Sequence, residues 1–130
     1  MKTPTYDLKF ERMPQYLCAS VTGENNPENV FNYIKATLEE CARQGCENLL
    51  IIENLQGARL KDYVVVDILY KLMNTIRVPF RKVAYIDLAA DTTSSMSLAV
   101  HIANYKGINV RRFSTEQDAS QWLTADKVHE

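Results

Sequence analysis

The stretch Asn48-Leu49-Leu50-Ile51-Ile52-Glu53-Asn54-Leu55 (residues 48–55) decides the fold class. Its continuous apolar centre is typical of a strand that is covered on both faces, as in a parallel sheet. Residues 81–88, centred on Val83-Ala84-Tyr85-Ile86, repeat the pattern. Because parallel strands need crossover connections, which are usually helices, the two stretches indicate an α/β domain.

Amphipathic segments supply those helices. Asn26-Pro27-Glu28 combines a capping side chain, a proline at the first helical position and an acid in the first turn, and Gly45 ends the segment. We predict that this helix buries one apolar stripe, composed of Val30, Phe31, Ile34, Leu38, Cys41 and Ala42. Further helices are predicted from Asp62 to about Ile76, up to Tyr105, and after a cap at Ser114 or Thr115.

The ends of the chain complete the sheet. Residues 6–10 alternate bulky and charged side chains, and Tyr16–Thr22 reads as a second strand that ends at Gly23 and forms a hairpin with the first. Ile108–Phe113 is the last predicted strand. The prediction is an α/β fold with a mostly parallel sheet of about five strands, an N-terminal β-hairpin and four helices. Residues 1–124 are expected to form one domain, and residues 125–130 a flexible tail.

Composition narrows the class of protein. The 130 residues are 46% hydrophobic and 24% charged, an ordinary globular mixture. Lys and Arg total 15 against 16 Asp and Glu, so the basic excess of a nucleic-acid binder is missing. No run approaches the ~18 apolar residues of a membrane span, and no signal peptide is evident. We therefore expect a cytoplasmic protein that binds no nucleic acid.

Motifs for cofactors and catalysis are missing from the sequence. Its four glycines are too widely spaced for a glycine-rich phosphate-binding loop. The three cysteines, Cys18, Cys41 and Cys46, include no C-x-x-C pair, which favours buried, reduced thiols over a disulfide framework or a zinc site. We expect no cofactor, no bound metal and no catalytic residues.

Two carboxylates end the predicted inner strands. Glu53 and Asp87 would lie at the carboxyl edge of a parallel sheet, where ligands of α/β proteins bind. Such a pair could bind a divalent cation or perform acid/base chemistry. Alternatively, both acids simply meet water at the strand ends.

A hydroxyl-rich stretch opens the third predicted helix: Asp91, Thr92, Thr93, Ser94 and Ser95. Free N–H groups at a helix start attract anions such as phosphate, and the hydroxyls could accept phosphorylation. The plainer interpretation is helix capping. A separate basic group, interpreted as a solvated sheet edge or, alternatively, as a surface for an acidic partner, comprises Arg77, Arg81, Lys82, Arg111 and Arg112.

The helix after Asp62 carries more apolar surface than docking on the sheet requires. One stripe contains Val65, Ile68, Leu69, Leu72 and Ile76. A second line of residues, called the α2 row below, contains Tyr63, Val66, Tyr70 and Met73. Surplus Tyr and Met surface is typical of a partner-binding face, which includes a homodimer contact, or of an apolar ligand pocket. The alternative is that another part of the same chain covers it.

Several local patterns resemble the STAS domain, specifically its bacterial SpoIIAA-like group. They are the hairpin ending at Gly23, the strand LLIIENL followed by Gly57, the strand VAYIDL, and the ending Val110–Leu123, in which Phe113 precedes an acidic segment and Trp122-Leu123. The resemblance implies a small α/β domain that is usually not an enzyme and that docks other proteins.

The best-known members of that family are anti-sigma-factor antagonists, which a kinase switches by phosphorylating a serine in a D-S-S-G pattern after the third strand. The matching stretch here is Asp62-Tyr63-Val64-Val65. The aspartate is kept, whereas both serines and the glycine are replaced, so a serine kinase has no acceptor at this position and Tyr63 carries its only hydroxyl.

The resulting expectation is a non-catalytic regulatory or protein-interaction module whose partner is another protein or a second copy. The alternative is a carrier of a small apolar or lipid-like ligand, since the SpoIIAA-like fold resembles Sec14-type lipid-transfer domains. The third choice is an enzyme that uses Glu53 and Asp87.

Overall fold

The computed structural model describes residues 5–58, 60–75, 81–89, 100–105 and 107–125. Its elements are β1 (Tyr6–Arg12), β2 (Leu17–Glu24), α1 (Pro27–Gln44), β3 (Asn48–Gln56), α2 (Asp62–Thr75), β4 (Lys82–Asp87), α3 (100–105), β5 (Val110–Arg112) and α4 (Glu116–Thr124). The five strands form one sheet in the order β1-β2-β3-β4-β5. The β1–β2 pair is antiparallel and the other three pairs are parallel, which confirms the predicted architecture.

The open end of the hairpin depends on Gly23. This residue pairs with Tyr6 and has a φ of +139°, a conformation that L side chains rarely adopt. A Cβ added at Gly23 would lie 2.5 Å from both the Thr5 carbonyl oxygen and the Tyr6 Cα. The close approach of β1 to β2 therefore requires glycine here.

Helix α1 begins and ends where the sequence predicts. The Asn26 side chain accepts a hydrogen bond from the Asn29 backbone N–H at 2.8 Å. Gly45 ends the helix in the left-handed conformation, with φ 70°.

The predicted apolar stripe of α1 is only partly correct: Cys41 is buried, and Val30, Ile34 and Leu38 pack against the core. The residues that α1 buries are Asn29, Tyr33, Thr37 and Cys41, whereas Ala42 is exposed and Phe31 only half-buried. Polar side chains occupy this face because each finds a partner inside: Asn29 Nδ2 donates to the Glu24 carbonyl at 2.8 Å, and Thr37 Oγ1 to the Tyr33 carbonyl at 2.7 Å. Counting apolar residues alone therefore predicts a buried face that is rotated about the helix axis from the one observed.

The sheet separates two clusters of buried side chains. Tyr33 and Cys41 of α1 pack on one face, and α2 contacts α1. On the other face α4 buries Ala119 and Leu123 against a cluster that includes Leu50 of β3. The sheet is thus covered on both sides, as its apolar inner strands predict.

Trp122 anchors α4. Its half-buried ring lies 5.5 Å from the ring of Phe113. Lys82, expected at a solvated edge, is instead buried and donates hydrogen bonds to the carbonyls of Trp122 (2.7 Å) and Ala125 (3.0 Å). The long side chain reaches acceptors at the end of α4. Because these carbonyls replace water as hydrogen-bond partners, the ammonium can be buried. Ala125 is the first residue of the expected tail, and the rest of that tail, 126–130, lies outside the described residues.

Strand β5 is shorter than predicted, because the Ile108 N–H donates to the Ala103 carbonyl of α3 at 2.9 Å instead of joining the sheet. All three cysteines are buried and free, as expected. Among the described helices, none combines the length and the apolar character that crossing a membrane requires.

Candidate functional site

The two strand-end acids are neighbours across the sheet. Glu53 of β3 and Asp87 of β4 are register partners in a parallel pair, so both side chains leave the same face at the carboxyl edge. Backbone N–H groups next to the two acids donate hydrogen bonds at this edge: that of Leu88 to the Glu53 carbonyl at 2.7 Å, and that of Ala89 to Asp87 Oδ1 at 3.0 Å. The two acids therefore occupy neighbouring positions on one face of the sheet, close enough for the Asp87 charge to act on Glu53.

Two tyrosine hydroxyls converge on Glu53. Tyr33, fully buried on α1, donates to Glu53 Oε2, and Tyr85 of β4 donates to Glu53 Oε1. Tyr85 precedes Asp87 by two positions, so strand alternation places both on the same face. We call Tyr33, Glu53, Tyr85 and Asp87 the Glu53 cluster.

Burial dominates the acid–base behaviour of the Glu53 cluster. It raises the pKa of Glu53 above its usual value; the hydrogen bonds from Tyr33 and Tyr85 oppose this effect, and the nearby Asp87 charge adds to it. The pKa values of Tyr33 and Tyr85 are raised well above the usual tyrosine value, first by burial and also by the Glu53 charge. The two hydroxyls therefore stay protonated and act as donors.

The cluster can hold a proton at the edge where α/β proteins bind ligands. Both Glu53 carboxylate oxygens already accept a hydrogen bond, which also makes the group a link between α1 and the sheet. Among the described residues, no group of three or more His, Cys, Asp or Glu side chains could hold a metal ion.

The α2 row lies on a different surface. Tyr63 is 72% exposed and Tyr70 42% exposed, while Val66 and Met73 are half-buried. The neighbouring stripe faces inward, with Ile68 and Leu72 buried; Val65 and Leu69 are half-buried, and Ile76 lies outside the described residues. Helix α2 thus buries one stripe and leaves two tyrosines on its outer side.

The stretch that matches the phosphorylated pattern starts α2. Asp62 is its exposed first residue, and the Val64 N–H donates to the Lys61 carbonyl at 3.0 Å as the first turn forms. The hydroxyl-rich stretch 91–95 lies outside the described residues.

Sequence reasoning missed Tyr33 and Tyr85. Tyr33 stands at i, i+4 spacing between Asn29 and Thr37, a polar and aromatic face that an apolar count discards. Tyr85 lies two positions before Asp87 on the same strand, so both side chains leave one face of the sheet. This alternation was the signal available in the sequence. Neither feature identifies Glu53 as the acceptor without the tertiary structure.

The comparisons with known proteins bear on the fold. No family model matches the chain, and no curated protein matches it. A solved structure is similar over 95% of this chain and 98% of its own, with 21% identity and a TM-score of 0.52. That structure is an uncharacterized protein of the DUF3478 family, with a SpoIIAA-like fold, from Shewanella loihica PV-4. The two inner parallel strands, the N-terminal hairpin and this similarity together show that the chain has a SpoIIAA-like (STAS) fold.

Proposed function

We propose that this protein is a non-catalytic interaction module of the STAS type that binds a partner polypeptide through the outer side of α2. The observation that carries the proposal is the exposure of Tyr63 (72%) and Tyr70 (42%) on a helix whose other side is docked. A helix needs only one apolar stripe to pack, so the two exposed tyrosines offer surface to another molecule.

The chemistry of the α2 row suits a protein interface. Its members recur at intervals of three and four residues and so lie along one line of the helix. Tyrosine and methionine are enriched in protein interfaces, and tyrosine covers area there at low entropic cost. Asp67 and Lys71, an exposed ion pair with N and O 3.1 Å apart, supply a polar margin on the same helix.

Binding through α2 would not follow the serine switch of the anti-sigma-factor antagonists. The first turn of α2 has Asp62, Tyr63 and Val64 in place of the acceptor pattern, and no serine hydroxyl is present in it. We propose that partner binding is independent of serine phosphorylation at this position.

The experiment compares two exposed tyrosines. Tyr70→Glu places a charge in the α2 row, whereas Tyr105→Glu places the same charge on α3, where Tyr105 is 83% exposed. Each variant is used as bait in the native host. We expect wild type and Tyr105→Glu to retain one common polypeptide, and Tyr70→Glu and Met73→Glu to lose it.

Light scattering separates a foreign partner from a second copy. If the partner is a second copy, wild type and Tyr105→Glu have twice the monomer mass and Tyr70→Glu has the monomer mass. Equal retention of every partner by Tyr70→Glu and Tyr105→Glu, with an unchanged solution mass, would contradict the use of α2.

A second candidate function rests on the Glu53 cluster. A half-buried carboxyl with a raised pKa beside Asp87, at the carboxyl edge of the sheet, favours a small-molecule site with acid–base capacity. Native mass spectrometry of protein from its host tests it: a bound molecule lost in Glu53→Gln and kept in Tyr70→Glu supports this candidate. A carrier that uses the α2 row needs an enclosed cavity, and the exposure of Tyr63 and Tyr70 does not support one.

A further inference from the structure

Two cysteines meet at the C-terminal end of α1. The Cys46 N–H donates to the Cys41 carbonyl at 2.9 Å, and the Gly45 N–H to the Ala42 carbonyl at 3.1 Å. These two bonds define a Schellman motif, which brings together the side chains at the positions that Cys41 and Cys46 occupy. The Cys41 thiol also donates to the Cys46 carbonyl, with 3.2 Å between sulfur and oxygen.

The two thiols have unequal surroundings. Cys41 is fully buried, and burial, followed by the adjacent Cys46, raises its pKa to about 12, so it stays a protonated thiol. Cys46 keeps 6% of its surface exposed and accepts a hydrogen bond from Arg12 of β1, whose Nη1 lies 2.6 Å from its sulfur. Cys18 belongs to the cluster on the opposite face of the sheet.

We propose that Cys41 and Cys46 form a peroxide-sensitive modification site that closes to an intramolecular disulfide, with Cys46 as the attacking sulfur and Cys41 as the resolving thiol. Arg12 positions Cys46 and stabilises negative charge on its sulfur during attack.

The chemistry uses hydrogen peroxide as the oxidant. The Cys46 sulfur attacks one peroxide oxygen; an S–O bond forms, the S–H and O–O bonds break, and the Cys46 proton leaves with the hydroxide as water, so that Cys46 becomes a sulfenic acid. The Cys41 sulfur then attacks the Cys46 sulfur; the S–S bond forms, the S–O bond breaks, and the hydroxyl leaves as water with the Cys41 proton. Both sulfurs are oxidised by one electron each, and the peroxide is reduced by two.

Trypsin separates the three thiols. Cleavage after Arg12, Lys35, Arg43 and Arg59 leaves Cys18 in peptide 13–35, Cys41 in peptide 36–43 and Cys46 in peptide 44–59. After the folded full-length protein meets micromolar hydrogen peroxide, we expect a linked 36–43/44–59 pair whose mass is two hydrogen atoms below the sum of the free peptides. A dithiol reductant should restore the two separate peptides.

Variants assign the roles. Cys46→Ser should leave peptide 36–43 reduced, and Cys41→Ser should accumulate sulfenic acid in peptide 44–59 without a link. Arg12→Gln should slow closure about tenfold, since it removes the charged hydrogen bond to sulfur. Arg112→Gln, an exposed arginine on β5, is the matched control and should close at the wild-type rate.

Three results on the wild-type protein would overturn the proposal. They are a link that includes peptide 13–35, overoxidation of Cys46 without any link, and closure only after unfolding in urea. An unchanged closure rate in Arg12→Gln would exclude the role given to Arg12.

Discussion

Lys82 Nζ donates a hydrogen bond to the Trp122 carbonyl over 2.7 Å and lies 5.5 Å from the centroid of the same residue's ring. Its other hydrogen bond, to the Ala125 carbonyl at 3.0 Å, lies at the same end of α4. The ammonium thus donates to carbonyls at the C-terminal end of the helix and meets the negative end of the helix dipole. A residue at the start of β4 therefore fixes the last helix to the sheet.

Replacing Lys82 with methionine should lower the free energy of unfolding by about 1–3 kcal/mol, because the end of α4 loses a charged hydrogen-bond donor. Urea unfolding followed by the fluorescence of Trp122, the single tryptophan, measures the change. Arg81→Met, one position earlier and exposed, is the control and should change stability by less than about 0.5 kcal/mol. Equal effects of the two substitutions would show that the Lys82 contacts contribute nothing.

Tyr33→Phe should destabilise the fold by about 1–3 kcal/mol, since it leaves one Glu53 oxygen without its buried donor. Because the hydroxyl favours the ionised form of Glu53, the loss should be larger at pH 8 than at pH 4. Tyr16→Phe removes a longer hydrogen bond, 3.3 Å to Ser120 Oγ, and should cost less. A pH-independent loss in Tyr33→Phe would contradict the assigned hydrogen bond.

The stability contribution of Glu53 should decline as pH rises. Its pKa is raised in the folded state, so folding favours the protonated carboxyl; the contribution is complete below the unfolded pKa and is lost as pH rises through the folded pKa. Glu53→Gln removes the titration, so its stability relative to wild type should increase with pH above about 4.5. Unfolding titrations at several pH values measure this difference, and a decrease with pH would reverse the sign of the shift.

Gly23→Ala should destabilise the protein by about 3 kcal/mol or more, because it combines backbone strain with overlap against β1. Gly45→Ala is the control: φ is also positive there, at +70°, but the added Cβ has no atom within 4 Å apart from those of its own stretch of chain. We expect it to cost only about 1 kcal/mol. Thermal unfolding distinguishes them, and similar losses would show that the contact with Tyr6 is unimportant.

Part of each candidate site could be placed from the sequence, and part could not. Glu53 and Asp87 could be placed at one edge from the sequence, because both end apolar strands and parallel strands share their carboxyl ends. Tyr33 and Tyr85 could not be assigned to Glu53, since they are 20 and 32 residues away from it in the chain. Likewise, the exposure of Tyr63 depends on which side of α2 meets the rest of the domain.

The amino-acid sequence by itself determined the order of the strands and helices, the parallel inner strands and the capped ends of α1, because alternation, continuous apolar runs and capping side chains act over a few residues. Only the tertiary structure decided that α1 buries Tyr33, that Lys82 leaves water for the end of α4, and that Arg12 meets Cys46. Each of these outcomes depends on a polar group finding its partner at long range, and a buried polar group is stable only where that partner exists.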